Sequence, residues 1–303
     1  MRILVTGATG FVGSHVARQL VGLGHEVTAL VREASDTSRL ADVATGMAIV
    51  RGDLRDALAL RSVVRDARPQ ACVHLGWFAV PGKYLDAPEN LELVAGTLRL
   101  VQSLVEAGCT RLVGVGTCFE YDTSVGYLHE DTRLAPRHLY SASKAALQLV
   151  LEQTNDMRVS WARLFYLFGP EEHPRRLVPS VILSLLRNEL ARCTIGSQVR
   201  DFLCVEDVAS ALCAVLFSRH VGTVNIASGA PITVADLVMK IGALMGKQDL
   251  VKLGALELDP RDPPFVCGDV RRLRSDIGWA PSYTLDVALQ RTINWWSTRA
   301  ARP

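Results

Sequence analysis

Tyr140 and Lys144 lie four positions apart in Leu139-Tyr-Ser-Ala-Ser-Lys144. On a helix this spacing puts both side chains on one face about one turn apart, where an ammonium beside a phenol makes it a better proton donor near neutral pH. Such a pair suits protonation of a carbonyl oxygen. A second group is Gly7, Gly10 and Gly13 in Thr6-Gly-Ala-Thr-Gly-Phe-Val-Gly13, which follow an apolar run and precede a helical segment, Ser14 to Leu23. Lacking Cβ atoms, they permit a tight turn, close approach of backbone N–H groups to a pyrophosphate, and close packing of helix on strand. A dinucleotide cofactor is the expectation.

The second apolar run reads Val27-Thr-Ala-Leu-Val-Arg32. An NAD site ends this strand with Asp or Glu for the ribose 2′-hydroxyl; Arg32 instead suits a 2′-phosphate, with Arg39 or Ser35 as helpers, which favours NADP(H) over NAD(H). Asp53, in Gly52-Asp-Leu54, suits either an adenine amino group or a helix N-cap.

These residues need elements to hold them. Arg2 to Thr6, Glu26 to Val31, Ala48 to Val50, Ala71 to Leu75 and Arg111 to Gly116 read as strands separated by segments of helical periodicity, and Arg158 to Leu164 adds another before Phe168-Gly-Pro170. This rhythm predicts an α/β, Rossmann-type doubly wound parallel sheet with helices on both faces. Residues 1–168, together with about 200–227, are expected to form the nucleotide-binding domain. Residues 169–303 are expected to form a smaller, interleaved substrate domain, with helices at Val178 to Glu189 and Val234 to Met245, few strands, and one buried strand at Asp201 to Val205.

The chain has 303 residues, 49% of them hydrophobic, and a formal charge of +2 without runs of one sign, which points away from nucleic acid and membrane surfaces. The start lacks the pattern of a signal peptide, and Leu177 to Leu186 is too short to span a bilayer, so a cytoplasmic location is expected. Seven scattered cysteines without a CxxC pair argue against a disulfide framework and against a zinc site, and no metal is expected. His74, at a strand end, reads as a hydrogen-bonded structural histidine.

TGATGFVG at 6–13, GDL at 52–54, HLGW at 74–77, Thr117 with Tyr121, YSASK at 140–144, RLFYLFGP at 163–170 and RDFLCVEDVA at 200–209 resemble, in order, the extended short-chain dehydrogenase/reductases. That family comprises nucleotide-sugar epimerases, dehydratases and ketoreductases. The resemblance implies a catalytic set of Thr117, Tyr140 and Lys144, with Tyr140 as proton donor, Lys144 lowering its pKa and holding the nicotinamide ribose, and Thr117 bonding the same substrate oxygen. It implies cofactor contacts at Gly7, Thr9, Gly10, Phe11, Val12, Gly13, Arg32, Asp53, Leu54, Leu75, Gly76, Tyr140 and Lys144. Substrate contacts are expected among Thr117, Cys118, Phe119, Tyr166, Arg200 and Arg261, the two arginines on a diphosphate, with Trp77 and Phe78 as further pocket candidates. A homodimer built on helices near Leu91 to Ala107 and Tyr140 to Gln153 is also implied.

Departures from the family pattern narrow the activity. Related dehydratases place Asp and Glu directly after the catalytic Ser or Thr, where this chain has Cys118 and Phe119, so a dehydratase is not expected. Tyr166 and Leu93 stand where the family has asparagines. The segment Gly116-Thr-Cys-Phe-Glu-Tyr-Asp122 resembles reductases of nucleoside-diphosphate 4-keto-6-deoxyhexoses. Together with Arg32 this favours an NADPH-dependent 4-ketoreductase over an NAD-dependent 4-epimerase; a non-catalytic NADP sensor is a third reading.

Overall fold

The structure is a computed structural model that describes residues 1–300. It begins β1 (Arg2–Thr6), α1 (Phe11–Gly22), β2 (Glu26–Val31), β3 (Met47–Arg51), α2 (Ala57–Ala67), β4 (Ala71–His74), α3 (Glu89–Glu106) and β5 (Arg111–Thr117). Next come β6 (Tyr127–Leu128), α4 (Leu139–Leu151), β7 (Arg158–Leu164), β8 (Tyr166–Phe168), α5 (Leu177–Leu186), β9 (Ala191–Arg192), β10 (Val199–Cys204), α6 (Val205–Phe217) and β11 (Gly222–Ile226). The chain closes with β12 (Pro231–Thr233), α7 (Val234–Leu244), β13 (Val251–Lys252), β14 (Phe265–Gly268), α8 (Arg271–Ser275) and α9 (Leu285–Ala300).

Seven strands form one parallel sheet in the order β11-β7-β5-β4-β1-β2-β3. Its strands are covered on both faces, which is why they read as continuous apolar runs; every residue of β5 is buried. Val16, Ala17 and Leu20 of α1 join Val208, Leu212 and Val215 of α6 against Ile3 and Val5. Leu60, Leu100, Leu104 and Leu147, from α2, α3 and α4, cluster with Leu4. Burial of each such side chain contributes roughly 1.5–3 kcal/mol. Strand order reverses beside β1, which pairs with β2 on one edge and β4 on the other, so a crevice opens at the carboxyl ends of β1 and β4.

The second sheet runs β12-β10-β14-β6, with β8 added on β10. The strand expected at Asp201 to Val205 forms as β10, but it pairs with β8, β12 and β14 instead of extending the large sheet, which closes on β11. Phe165 is the one residue between β7 in the large sheet and β8 in the small one, so the chain changes sheets almost without a loop. The half after residue 169 therefore holds six short strands where few were expected. Its core gathers Ile182, Leu185, Leu237, Ile241 and Leu289. Pro179 sits in the first turn of α5, where a missing N–H breaks no helical hydrogen bond. Among the described residues no helix is long and apolar enough to cross a membrane. All seven cysteines are buried and unpaired.

Candidate active site

Helix α4 starts where the His138 N–H donates to Ser141 Oγ (3.3 Å), and the Tyr140 N–H donates to the Leu85 carbonyl (2.8 Å). Tyr140 is thereby fixed in the first turn and Lys144 follows on the same face. Lys144 is 3% exposed; its Nζ donates to the Val115 carbonyl of β5 (2.8 Å) and stands 3.7 Å from the Trp77 ring centre. Thr117 ends β5, and its Oγ1 accepts from the Phe119 N–H (3.3 Å) at the turn Cys118–Glu120. Thr117 and Lys144 both attach to the end of β5, and Thr117 lowers the pKa of the Tyr140 phenol against the larger, opposite effect of burial. The Tyr84 ring meets Tyr140 edge-on at 4.9 Å.

Burial moves both titratable groups, in ways the spacing alone did not indicate. It lowers Lys144 to about 7, with the Glu120 carboxylate opposing the drop. It raises Tyr140 above the usual phenol range, helped by Tyr84 and Glu120. The expected lowering of Tyr140 by Lys144 does not stand among the main influences on the phenol, and Nζ is directed at Val115 and Trp77.

His74 is held down to about 3 by burial and by Lys144, so it is neutral. Its tautomer follows from its partners. Thr97 Oγ1 donates to the Leu93 carbonyl (2.7 Å) and so accepts from His74 Nε2 (2.9 Å), which leaves Nδ1 to accept from Thr6 Oγ1 (2.7 Å). Thr6 Oγ1 in turn accepts from the Gly76 N–H (3.1 Å), so the histidine fixes the ends of β1 and β4 together.

At those ends lies the glycine turn. Gly7 has φ +71°, and a Cβ there would stand 2.7 Å from Gly76 N, while a Cβ on Gly13 would collide with the Gly7 carbonyl. This is a cradle that side chains would fill, and it fits a pyrophosphate lying on backbone at the start of α1. Thr9 belongs to this turn, Phe11 and Val12 open α1, Leu75 and Gly76 lie against Gly7 just past β4, and Leu54 packs beneath Gly76. Arg32 is exposed just past β2. Arg51, which sequence reasoning missed, donates through Nη1 to the carbonyls of Arg32, Glu33 and Ser35 (2.8, 3.0 and 3.4 Å) and so shapes the loop after β2. Arg39 is committed to the carbonyls of Thr9 (3.1 Å) and Glu171 (2.9 Å). Asp53 is clamped by Arg55 (2.8 Å), and the cap of α2 is Asp56, which accepts from Leu58 and Ala59, so the N-cap reading of Asp53 is corrected.

On the substrate side, the Cys118 thiol is pushed up to about 12 by burial. Phe119, Tyr166 and Phe202 form an aromatic row, with ring centres 6.2 and 5.8 Å apart. Arg200 is 2% exposed and lies 5.2 Å from the Tyr166 ring. Its Nη2 approaches Asp262 Oδ1 (2.7 Å) without the alignment of a hydrogen bond. Asp201, next to it, points elsewhere, accepting from the N–H groups of Ser228, Gly229 and Gly268. The Arg261 side chain is 85% exposed and faces Asp259 (2.8 Å), so the structure does not place it beside Arg200. Trp77 Nε1 donates to Asn90 Oδ1 (2.8 Å), and Asn90 donates to the carbonyls of Tyr84 and Ala87, which makes it an anchor of that loop.

The model of the NAD dependent epimerase/dehydratase family matches residues 3–227. The chain belongs to that family. It is an enzyme of the extended short-chain dehydrogenase/reductase type. It is 28% identical to the dTDP-glucose 4,6-dehydratase of Xanthomonas campestris pv. campestris, covering 97% of this chain and 93% of the relative. The dTDP-glucose 4,6-dehydratase DesIV of Streptomyces venezuelae, solved with NAD bound, superposes with a TM-score of 0.86 at 28% identity, covering 100% of this chain and 98% of that one. The UDP-glucose 4-epimerase of Thermus thermophilus, solved as a complex with NAD, does so with a TM-score of 0.88 at 25% identity over the whole of both chains.

Proposed function

We propose that this family member is an NADPH-dependent reductase of the 4-keto group of a nucleoside-diphosphate 4-keto-6-deoxyhexose. The observation that carries the choice of direction is the end of β2: Arg32 is exposed there and Arg51 orders the loop behind it, a basic setting suited to a 2′-phosphate. A bound nicotinamide supplies hydride to the carbonyl carbon. Tyr140 gives its proton to the carbonyl oxygen, so the ketone becomes an alcohol, while the Thr117 hydroxyl bonds the same oxygen. Arg200 pairs with the substrate diphosphate, displacing Asp262, and Phe119 and Tyr166 bound the sugar. Cys118, neutral below about 12, and Phe119 cannot supply the acid and base that a dehydratase needs beside its Thr.

In this reading residues 1–168 with about 200–227 bind the nucleotide cofactor, and 169–303 bind the substrate. Leu91 on α3 and Leu149 and Val150 on α4 are 61%, 55% and 51% exposed, which supports pairing of two copies through these helices.

The test is Tyr140→Phe with NADPH oxidation followed against dTDP-, GDP- and CDP-linked 4-keto-6-deoxysugars. Loss of about 10²–10⁴ in turnover with NADPH affinity kept supports the reading; wild-type turnover overturns it. The names of the relatives favour a second reading, an NAD-dependent 4-epimerase. Protein purified with non-exchanging NAD and showing no net NADPH oxidation would establish that reading.

A further inference from the structure

Directly behind Thr117 lies a carboxylate that no substrate can touch. Glu120 is 0% exposed, yet four donor contacts converge on it: the Thr117 N–H at 2.8 Å, Trp161 Nε1 at 3.0 and 3.2 Å, and Arg163 Nε at 2.6 Å. The space is built for it, since Gly116 has no Cβ and one placed there would strike both Trp161 Nε1 and Glu120 Oε1. Arg163 is 1% exposed and continues through Nη2 to Gln148 Oε1 (3.2 Å), one turn beyond Lys144 on α4. The far side of the Trp161 ring faces Lys144 Nζ at 5.9 Å. One carboxylate thus stands among two buried cations, Arg163 and Lys144.

We propose that Glu120 is a positioning residue of the reaction: it fixes the backbone of Thr117 and serves as the counter-charge that keeps Lys144 protonated. The charge count around Lys144 supports this. From the turn before it come Cys118 and Glu120, from β4 His74, from β7 Arg163, from the loop after β4 Tyr84, and from its own helix Tyr140. Cys118 and Tyr140 are neutral because burial raises both, and His74 is neutral because burial lowers it. Burial raises Glu120 as well, an effect that Arg163, the Thr117 N–H and Trp161 oppose, and Glu120 is the group that raises Lys144. Arg163 cannot lose its proton, so when the carboxylate goes, the excess positive charge is relieved at Lys144. The role of Glu120 does not depend on which ketone is reduced; its place in catalysis rests on the proposed roles of Thr117, Tyr140 and Lys144.

The chain contains five lysines, so lysine labelled with ¹³C at Cε yields five signals, and Lys144→Met assigns the one of interest. Its titration midpoint is measured in the full-length protein and in three variants. Glu120→Gln should lower the midpoint by about one unit or more, and Arg163→Met, which leaves Glu120 with Lys144 as its cation, should raise it by about one unit. The double variant should return to within about half a unit of wild type. If breaking the pair prevents one single variant from folding, the other still tests the sign. Unchanged midpoints in the folded single variants, or shifts of the same sign in both, overturn the proposal. NADPH oxidation measured across pH then separates the two levels: a shifted midpoint without reductase activity refutes the proposed reaction and leaves the role of Glu120 standing.

Discussion

Lys144→Met removes an ammonium that the fold buries at a cost, and the cost can be read from pH. The side chain titrates at about 7 in the folded protein against an ordinary 10.5. At about 1.4 kcal/mol per unit, the protonated form costs the fold about 5 kcal/mol relative to the neutral one. The sign follows from proton counts: between pH 7 and 10.5 the unfolded chain binds a proton at this residue that the folded chain does not, so stability rises with pH there. The cost is fully present below pH 7 and is lost as pH climbs toward 10.5. Methionine keeps the length and apolar bulk and carries no such dependence. The variant's stability relative to wild type should therefore fall by about 2–3 kcal/mol between pH 6 and pH 9, whatever offset the lost bond to Val115 adds at both. Urea unfolding of both proteins at these two pH values measures it. A difference independent of pH, or one that grows in the variant's favour as pH rises, would refute the assignment of Lys144 as a buried, weakly basic ammonium.

Two further outcomes are expected. Arg32→Ala should weaken NADPH binding by about 10- to 100-fold, the worth of a charge-assisted contact, and leave NADH binding unchanged in isothermal titration; equal loss for both cofactors would place Arg32 outside the 2′ position. Gly116→Ala puts a methyl group where Trp161 and Glu120 lie and should destabilise the protein by about 1–3 kcal/mol in urea unfolding, with turnover reduced through a displaced Thr117.

The parts legible in the sequence were those specified locally. The expected bounds of β1, β2 and β7 coincide with the observed ones: β1 and β2 are apolar runs ended by Gly7 and Arg32, and β7 is an apolar run ended at Phe165, where the chain passes into β8. The strands β9 and β13 are two residues each, too short for any periodicity, and exist because they pair with one another. The sheet to which β10 belongs is decided by partners at Tyr166–Phe168 and Phe265–Val266, which no window around residue 200 contains. Within the site, Tyr140, Lys144 and the glycines were legible because their chemistry depends on spacing along the chain. Glu120 was not, since a glutamate between Phe119 and Tyr121 looks like any surface acid until Gly114 and Gly116 are seen to open the space that Trp161 fills. Arg51 was hidden for the same reason: its partners lie on the loop after β2, sixteen to nineteen residues earlier.

The state of charge around Tyr140 bears on how readily its proton moves. A group that must begin by taking a proton from a hydroxyl, as an oxidation requires, works best with its pKa drawn down toward neutrality. A group that must give a proton to an oxygen as hydride reaches the neighbouring carbon is likewise a stronger acid with its pKa drawn toward neutrality. Burial raises the Tyr140 phenol, which keeps it protonated but weakens it as an acid, and Lys144, the nearest cation on its own helix, directs its charge at Val115, Trp77 and Glu120. Cys118 gives no second base, since burial pushes its thiol up to about 12. Lys144 is lowered to about 7, and its midpoint is tied to Glu120. Lys144, the cation of adjustable charge on the same helix, is thus the group able to ease proton transfer at Tyr140, and in the proposed reaction it makes the alkaline limit a property of a carboxylate the substrate never meets.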